Sequence, residues 1–342
     1  MKRFTPALLL LLLPLIFHLP DRVTSQTRER TVGPSRSESQ VKAEVIKTDV
    51  DLVNIDALVL LKNSARIVGD LGRDDFVISE DGVTQSISHF SQDRLPLSVL
   101  LLIDRGGCLD PFGDQVRHAA YSALSELKPD DEVAVMTYHD TAELRQRFTN
   151  DRRSIKFALD YVPPHDERAN HCLDTAFDAA ANYMSDAANP VGRRVVIVIT
   201  GVTRNFDCAG SPSGKAATQA IFESGSVVCA IVPETPVQQM ENGMMVWATR
   251  MGKIGGAPVI DIQKLADETG GELLKDKPEN LDTTFLTLIE HLRTRYNLAF
   301  VSSNKKRDGS LRKLKIELAD NAKKTHDKLV VKARKSYVAP KG

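Results

Sequence analysis

Several short segments in the middle of this chain are apolar at almost every position, and they constrain the fold more than any other feature. They are residues 97–103, 133–138, 195–200 and 226–232. Their length and their many β-branched residues indicate strands buried on both faces. Helical periodicity separates them, for example over residues 112–127 and 173–184. Such alternation implies a mostly parallel sheet covered on both sides, so we expect a doubly wound α/β domain over residues 95–294.

The residues on either side of this block have the pattern of antiparallel strands. In residues 45–94 apolar and polar residues alternate, and Asp81-Gly82 predicts a two-residue hairpin turn with positive φ at both positions. Residues 295–342 show the same pattern around a turn at 307–310. Because neither flank is long enough for a core of its own, we expect both to build one small β-sandwich-like module of immunoglobulin type.

The N-terminal segment has no pattern typical of a folded core. Residues 1–25 begin with positive charge and continue with an apolar run from Ala7 to Phe17, which predicts a secretory signal peptide, with an uncleaved anchor as the alternative. Residues 26–44 contain few large apolar side chains and predict a flexible linker. No later stretch is apolar for long enough to span a membrane, so we expect a secreted or periplasmic mature chain without membrane insertion.

Charge and cysteine content restrict the partners and the source of stability. The chain has 45 Lys and Arg residues against 45 Asp and Glu residues, for a formal net charge of +0. A nucleic-acid-binding surface needs an excess of basic residues, so we expect a protein or glycan partner instead. The 4 cysteines among 342 residues are too few to hold the fold, which must depend on its apolar core.

The predicted sheet also indicates where a ligand would bind. In open α/β sheets, ligands bind at the carboxyl ends of the strands. The residues that follow two buried strands, and the loop before Leu173, therefore form the expected ligand face. The residues that the sequence places there are Asp104, Gly106, Cys108, His171 and Gly201.

The segments LPLSVLLLIDRGG (95–107), VVIVITG (195–201) and LADETGGELL (265–274) resemble the von Willebrand factor type A (VWA) family. DDFVISEDGVTQSISHF (74–90) lies before them and RTRYNLAFVSS (293–303) after them. This order is similar to that of secreted bacterial VWFA-related proteins of acidobacterial type. The resemblance covers roughly residues 45–339. It implies an extracytoplasmic binding module and not an enzyme.

The resemblance also implies where a metal would bind. The family's adhesion site begins with Asp-x-Ser-x-Ser after the first strand and holds Mg²⁺ through carboxylate and hydroxyl oxygens. This chain keeps Asp104 but has Gly106 and Cys108 in place of the two serines, His171 near the position of a threonine and Gly201 in place of an aspartate. The nearby carboxylates that could substitute are Asp110, Asp174 and Asp207. We therefore expect a degenerate site and no magnesium cofactor; if any residue binds a metal ion, it is Asp104.

The cysteines of this face leave three possibilities open. For a zinc site the chain offers Asp104, Cys108, His171, Cys172 and Cys208. Their spacing matches no zinc motif, so a disulfide is the simpler use of these cysteines in an oxidising compartment. We favour the pairing of Cys172 with Cys208, with Cys108 as the competing partner. Free thiols are the third possibility, and Cys229, in the middle of a predicted strand, is expected to be a buried one.

Two function classes fit these observations. One is a non-catalytic, metal-independent protein-binding or adhesion module, and the other is a structural or assembly component of the cell envelope with a vestigial ligand face. Exposed apolar residues near the face would favour binding, whereas a face filled by packed side chains would favour the structural role. A thiol-dependent enzyme would need Cys108 or Cys208 as an exposed thiolate beside His171.

The segment 233–260 is longer than an ordinary connection and rich in methionine. Its large apolar residues include Met240, Met244, Trp247 and Met251. Such residues suit an adaptable contact surface, but we expect them to pack onto their own domain.

Overall fold

A computed structural model describes most of the chain from residue 52 onward. The described residues are 52–106, 109, 112–162, 170–190, 193–201, 204–205, 208–234, 240, 243–244, 247, 251, 260–325 and 328–341. The predicted signal peptide and linker lie outside them, as do Cys108, Asp110 and Asp207. All described residues belong to one compact unit.

The strands fall into a central sheet, two sheets built from the flanking segments and one short pair. They are β1 Leu52–Leu61, β2 Phe76–Glu80, β3 Val83–Gln85, β4 Ile87–Ser91, β5 Ser98–Asp104, β6 Glu132–Tyr138, β7 Ala142–Thr149, β8 Arg194–Ile199, β9 Arg204–Asn205, β10 Val227–Pro233, β11 Ile260–Asp261, β12 Leu273–Asp276, β13 Tyr296–Val301, β14 Leu311–Leu318, β15 Leu329–Lys332 and β16 Ser336–Val338.

The helices that concern the fold lie mainly between strands of the central sheet. They are α1 Gly113–Ser125, α2 Arg152–Asp160, α3 Leu173–Tyr183, α4 Gly214–Ser224, α5 Ile262–Thr269, α6 Leu281–Arg293 and α7 Asp320–Thr325. Short 3₁₀ turns occupy Arg73–Asp75, Met184–Asp186 and Pro278–Asn280.

The central sheet has the order β12-β10-β8-β5-β6-β7. Neighbouring strands are parallel except for β7, which pairs antiparallel with β6 at the edge. Every residue of β5 and β10 is buried, as expected for strands covered on both faces. The predicted mostly parallel α/β fold is therefore confirmed.

Alternate residues of the central strands enter two different cores. Leu101 of β5 packs with α1, α2 and α6 in one layer. Leu102, the next residue, packs with α3, α4 and α5 in the other layer. Because both faces of the sheet are covered in this way, its polar groups are concentrated at the ends of the strands.

The flanking segments form two four-stranded sheets with the orders β15-β1-β13-β4 and β16-β14-β2-β3. Strand β1 pairs antiparallel with β13, and β2 pairs antiparallel with β14, so strands from both ends of the described chain are neighbours. Ile55 and Phe300 of one sheet share a core with Ile78 and Leu314 of the other. The predicted β-sandwich-like module from both flanks is confirmed, while the domain boundaries near residues 94 and 294 stay predictions.

The turn between β2 and β3 follows the sequence prediction. Asp81 has φ 47° and Gly82 has φ 87°, which are the two positive values that this hairpin requires. The turn sets the register of β2 against β3, in which Glu80 pairs with Val83.

A buried polar network connects the two flanks at Glu80. The carboxylate of Glu80 accepts hydrogen bonds from Ser302 at 2.6 Å, from Arg312 at 3.1 Å and from Tyr337. Glu80 and Arg312 are each 2% exposed. Burial raises the pKa of Glu80, but the three hydrogen bonds and the charge of Arg312 outweigh it and bring the pKa below its ordinary value of 4.5. The network therefore stabilises the ionised carboxylate.

We predict that Glu80→Gln lowers the free energy of unfolding by about 3 kcal/mol at neutral pH, because it leaves the Arg312 guanidinium buried without its counter-charge. Since the folded-state pKa is lowered, the contribution of Glu80 is present above pH 4.5 and is lost as pH falls through the folded-state pKa. Urea unfolding at neutral and acidic pH measures both effects.

The matched control is Glu317→Gln on β14, where the ion pair with Lys315 is solvent-exposed. This change should cost less than about 1 kcal/mol. Equal losses for the two variants would contradict a special role for Glu80.

Candidate functional site

Three polar side chains converge where the central strands of the sheet end. Asp104 is the last residue of β5 and Tyr138 is the last residue of β6, and the parallel register places them side by side. Thr200 follows β8, which neighbours β5 on its other side. The carboxyl edge of the sheet therefore surrounds the Asp104 side chain with hydroxyl groups.

The carboxylate of Asp104 is fully buried and strongly hydrogen-bonded. Its Oδ1 accepts the backbone N–H of Gly106 at 2.9 Å. Its Oδ2 accepts the hydroxyl of Thr200 at 2.5 Å and that of Tyr138 at 3.2 Å. The Nδ1 atom of His171 lies 3.0 Å from both carboxylate oxygens. The negative charge is thus stabilised entirely by groups of this chain.

His171 lies over the carboxylate with 26% of its side chain exposed. Burial lowers the pKa of His171, whereas the hydrogen bond and the negative charge of Asp104 raise it. The net pKa is above the ordinary value of 6.5. The contact with Asp104 therefore stabilises the protonated form of His171 relative to a histidine free in water.

Gly106 provides the space that His171 occupies. A Cβ atom at Gly106 would overlap the imidazole, coming within 2.5 Å of its Nδ1. A serine at residue 106, as in the family motif, would overlap the His171 ring where the structure places it. The position of the His171 ring therefore depends on the absence of a side chain at residue 106.

The structure brings three of the five predicted site residues into contact. Asp104, Gly106 and His171 contact one another, and Gly201 is buried directly after Thr200. Cys108 lies outside the described residues. Tyr138 was not predicted, although its position as the last residue of a predicted strand was available as a signal.

These donors do not fit a magnesium ion. Mg²⁺ requires near-octahedral oxygen coordination. Among the described positions of the predicted ligand face, Asp104 alone has a carboxylate, and its oxygens already accept hydrogen bonds from Gly106 and Thr200. The Nδ1 atom of His171 also lies 3.0 Å from both oxygens. Asp174, the described substitute carboxylate, lies instead with the sulfurs of Cys172 and Cys208.

The neighbouring loops are joined by a disulfide between Cys172 and Cys208, with a Cα–Cα distance of 5.8 Å. Cys172 is the N-cap of α3, and Cys208 lies in the loop before α4. This is the pairing that we favoured from the sequence. Because both sulfurs are in the disulfide, neither cysteine offers a thiolate to the zinc set considered from the sequence.

Cys229 is a buried free thiol, as predicted. Burial raises its pKa to about 11. A thiol with this pKa is protonated at neutral pH and is a poor nucleophile.

The methionine-rich segment differs from the prediction that it packs onto its own domain. Met240, Met244, Trp247 and Met251 are between 53% and 62% exposed. The physical reason is that helices already cover both faces of the central sheet, which leaves little apolar surface for these side chains.

In the part of the chain that the structure describes, no helix has the length and apolar character needed to cross a membrane.

Comparison with known proteins finds a similarity in the central part of the chain. Residues 99–203 match the family model of the von Willebrand factor type A domain. A search of curated proteins found no match.

Several solved structures have a similar arrangement. An aerotolerance-related membrane protein from Bacteroides fragilis is 15% identical, with 57% of this chain and 98% of that chain covered and a TM-score of 0.41. The PilB minor pilin from Streptococcus sanguinis is 11% identical, with coverages of 60% and 63% and a TM-score of 0.42. A von Willebrand factor type A protein from Catenulispora acidiphila is 8% identical, with coverages of 86% and 75% and a TM-score of 0.43. These low similarities carry no argument about function.

We predict that Gly106→Ala lowers the free energy of unfolding by about 1–3 kcal/mol, because the new methyl group overlaps His171. In a His171→Ala background, the same change should cost less than about 1 kcal/mol, since the ring is gone. A double-mutant cycle measured by urea unfolding gives the coupling. Gly113→Ala is the control because a Cβ there meets no atom within 4 Å. Additive losses would show that the two residues are independent.

Proposed function

We propose that this chain is a non-catalytic binding protein of VWA type that works outside the cytoplasm and binds a protein partner without a metal ion at Asp104. The observation that carries the proposal is the His171–Asp104 contact in the space left by Gly106. In this proposal the His171 ring takes the place that the family gives to a cation and, when protonated, balances the charge of the Asp104 carboxylate.

A non-catalytic role is supported by the state of the described cysteines. Cys172 and Cys208 are in a disulfide, and the Cys229 thiol is buried with a raised pKa. None of these three supplies the exposed thiolate that a Cys-His enzyme requires. His171 is engaged by Asp104 on the side of its Nδ1 atom.

A protein partner is supported by exposed apolar side chains in the segment that follows β10. The segment with Met240, Met244, Trp247 and Met251 follows β10, whose carboxyl end lies at the same edge of the sheet as Asp104. Methionine and tryptophan are enriched at protein interfaces and adapt to different partner shapes. The secretory pattern of residues 1–25 and the disulfide both favour an oxidising location outside the cytoplasm.

The alternative is a structural or assembly component of the cell envelope with a vestigial face. It is favoured by the packing at the centre of the face, where Asp104 is 3% exposed and Thr200 is 0% exposed. In that case the disulfide and the His171–Asp104 contact would serve stability alone.

If the protein works without a metal ion at Asp104, titration with Mg²⁺ or Mn²⁺ should detect no binding. Calorimetry with Mg²⁺ or Mn²⁺ should show no saturable binding in the millimolar range or below, and neither ion should raise the melting temperature. The Asp104→Ala variant and the exposed Asp130→Ala control should give the same flat titrations. Saturable binding that Asp104→Ala abolishes and Asp130→Ala preserves would overturn this part of the proposal.

If the ligand face binds a protein partner, a bulky charged side chain on that face should block capture of the partner. Asn170 is exposed, precedes His171 and donates to Asp140 at 2.6 Å, so Asn170→Arg alters the face without touching the core. Affinity capture from the cell envelope and the culture medium, in the presence of a metal chelator, should lose its partner in this variant.

Asn150→Arg is the matched control for this experiment. Asn150 is exposed and follows β7, which runs back from the face to the opposite edge of the sheet. Capture should be unchanged in this variant. Equal capture by the intact protein and by both variants would favour the structural alternative.

A further inference from the structure

A second cluster of chemically reactive groups lies beside the His171–Asp104 contact. Ligand atoms of Cys172, Asp174 and Cys208 all lie within 4.8 Å of one another. Cys172 is 1% exposed and Asp174 is 0% exposed. The disulfide between the two cysteines occupies the centre of this cluster.

The carboxylate of Asp174 is incompletely satisfied. Its Oδ1 accepts the backbone N–H of Thr175 at 2.9 Å. Its Oδ2 is buried and has no hydrogen-bond partner among the described residues. The N-terminus of α3 offsets part of the negative charge, but a buried acceptor without a donor is costly, and such atoms in native proteins call for an explanation.

Contacts other than the disulfide also join the two loops. The Thr175 and Ser211 hydroxyl oxygens are 2.6 Å apart and join the start of α3 to the loop before α4. Ala176 of α3 and Ala217 of α4 are buried in the same apolar core. Reduction would therefore leave the two sulfurs close together rather than release the loops.

We propose that reduction of the Cys172–Cys208 disulfide converts this cluster into a zinc site. Two electrons and two protons from a dithiol reductant convert the disulfide into two thiols, and the reductant becomes a cyclic disulfide. Zn²⁺ then displaces the two thiol protons and binds the sulfurs of Cys172 and Cys208 and a carboxylate oxygen of Asp174, with water as the fourth ligand. In the reverse direction, thiol–disulfide exchange with a disulfide oxidant, which is itself reduced to a dithiol, re-forms the Cys172–Cys208 bond and releases the ion.

The chemistry and the dimensions suit zinc. Zn²⁺ prefers tetrahedral coordination by thiolate sulfur and carboxylate oxygen. With Zn–S bonds of about 2.3 Å, two sulfurs of a tetrahedral site lie about 3.8 Å apart, which side-chain rotation from the disulfide can reach. Cys172 is at the N-terminus of the 11-residue α3, which favours its thiolate. The ion would also supply the missing partner of Asp174.

This inference does not rest on the proposed function, because it concerns the reduced state of Cys172 and Cys208, whereas the proposed function uses them only as a disulfide. The disulfide form offers no thiolate, so it should not bind zinc at this position. The ligand face would then have two cross-linked states, one held by the disulfide and one held by the metal ion.

The test compares zinc binding by the purified protein before and after reduction with a phosphine reductant, using competition with a chromogenic zinc chelator. We expect no binding by the disulfide form and a single zinc ion per chain in the reduced form. Cobalt should give thiolate-to-metal charge-transfer absorption in the reduced form alone. Asp174→Asn should weaken zinc binding at least about tenfold.

The matched control is Asp178→Asn, one turn further along α3, which should leave zinc affinity unchanged. If Asp174→Asn does not fold, alkylation of the reduced wild-type protein provides the test. Zinc should protect Cys172 and Cys208 from alkylation, and peptide mapping identifies the protected cysteines. Absence of binding in the reduced form, binding by the disulfide form, or equal affinity in both aspartate variants would overturn the proposal.

Discussion

The structure depends on a parallel sheet whose middle strands are buried on both faces. Such a sheet has no solvent-facing surface, so polar chemistry is confined to the ends of the strands. At the carboxyl edge, Asp104 brings a charge into a fully buried position, and the energetic cost of an uncompensated charge there is several kcal/mol. The groups that surround Asp104 offset this cost.

The compensation comes from the protein itself. Thr200, Tyr138 and the Gly106 backbone donate hydrogen bonds, and the Nδ1 atom of His171 lies 3.0 Å from both carboxylate oxygens. In the family that this chain resembles, a hard cation has that role and also bridges to the partner. The His171 ring contacts the carboxylate but offers no open coordination position, so in the proposed function a partner would have to recognise the surface around the site.

The loops that a metal would otherwise organise are held by other means. The Cys172–Cys208 disulfide joins the start of α3 to the loop before α4, and Thr175 contacts Ser211 beside it. The β module is stabilised in a different way, through pairing of distant strands and the buried Glu80 network. The two ends of the chain segment 52–338 thus contribute to one core, and neither could bury its apolar face alone.

The sequence by itself determined the fold class, because uninterrupted apolar strands between helices are compatible with few arrangements. It also determined the hairpin at Asp81-Gly82, since the turn requires two positive φ values. It did not identify β7, whose side chains are half exposed and carry the weak pattern of an edge strand. Its antiparallel placement depends on the hairpin after β6.

For the site, the sequence identified Asp104, Gly106 and His171 as residues of one face but gave no contact between them. His171 is 67 residues from Asp104, and Tyr138 is 34 residues from it, so their distances depend on strand register and loop path. The overlap between a Cβ at Gly106 and the His171 ring became visible only in three dimensions. Residue types follow from the sequence, but which groups neutralise a buried charge is decided by tertiary packing, because hydrogen bonds and charge pairs act over a few ångströms.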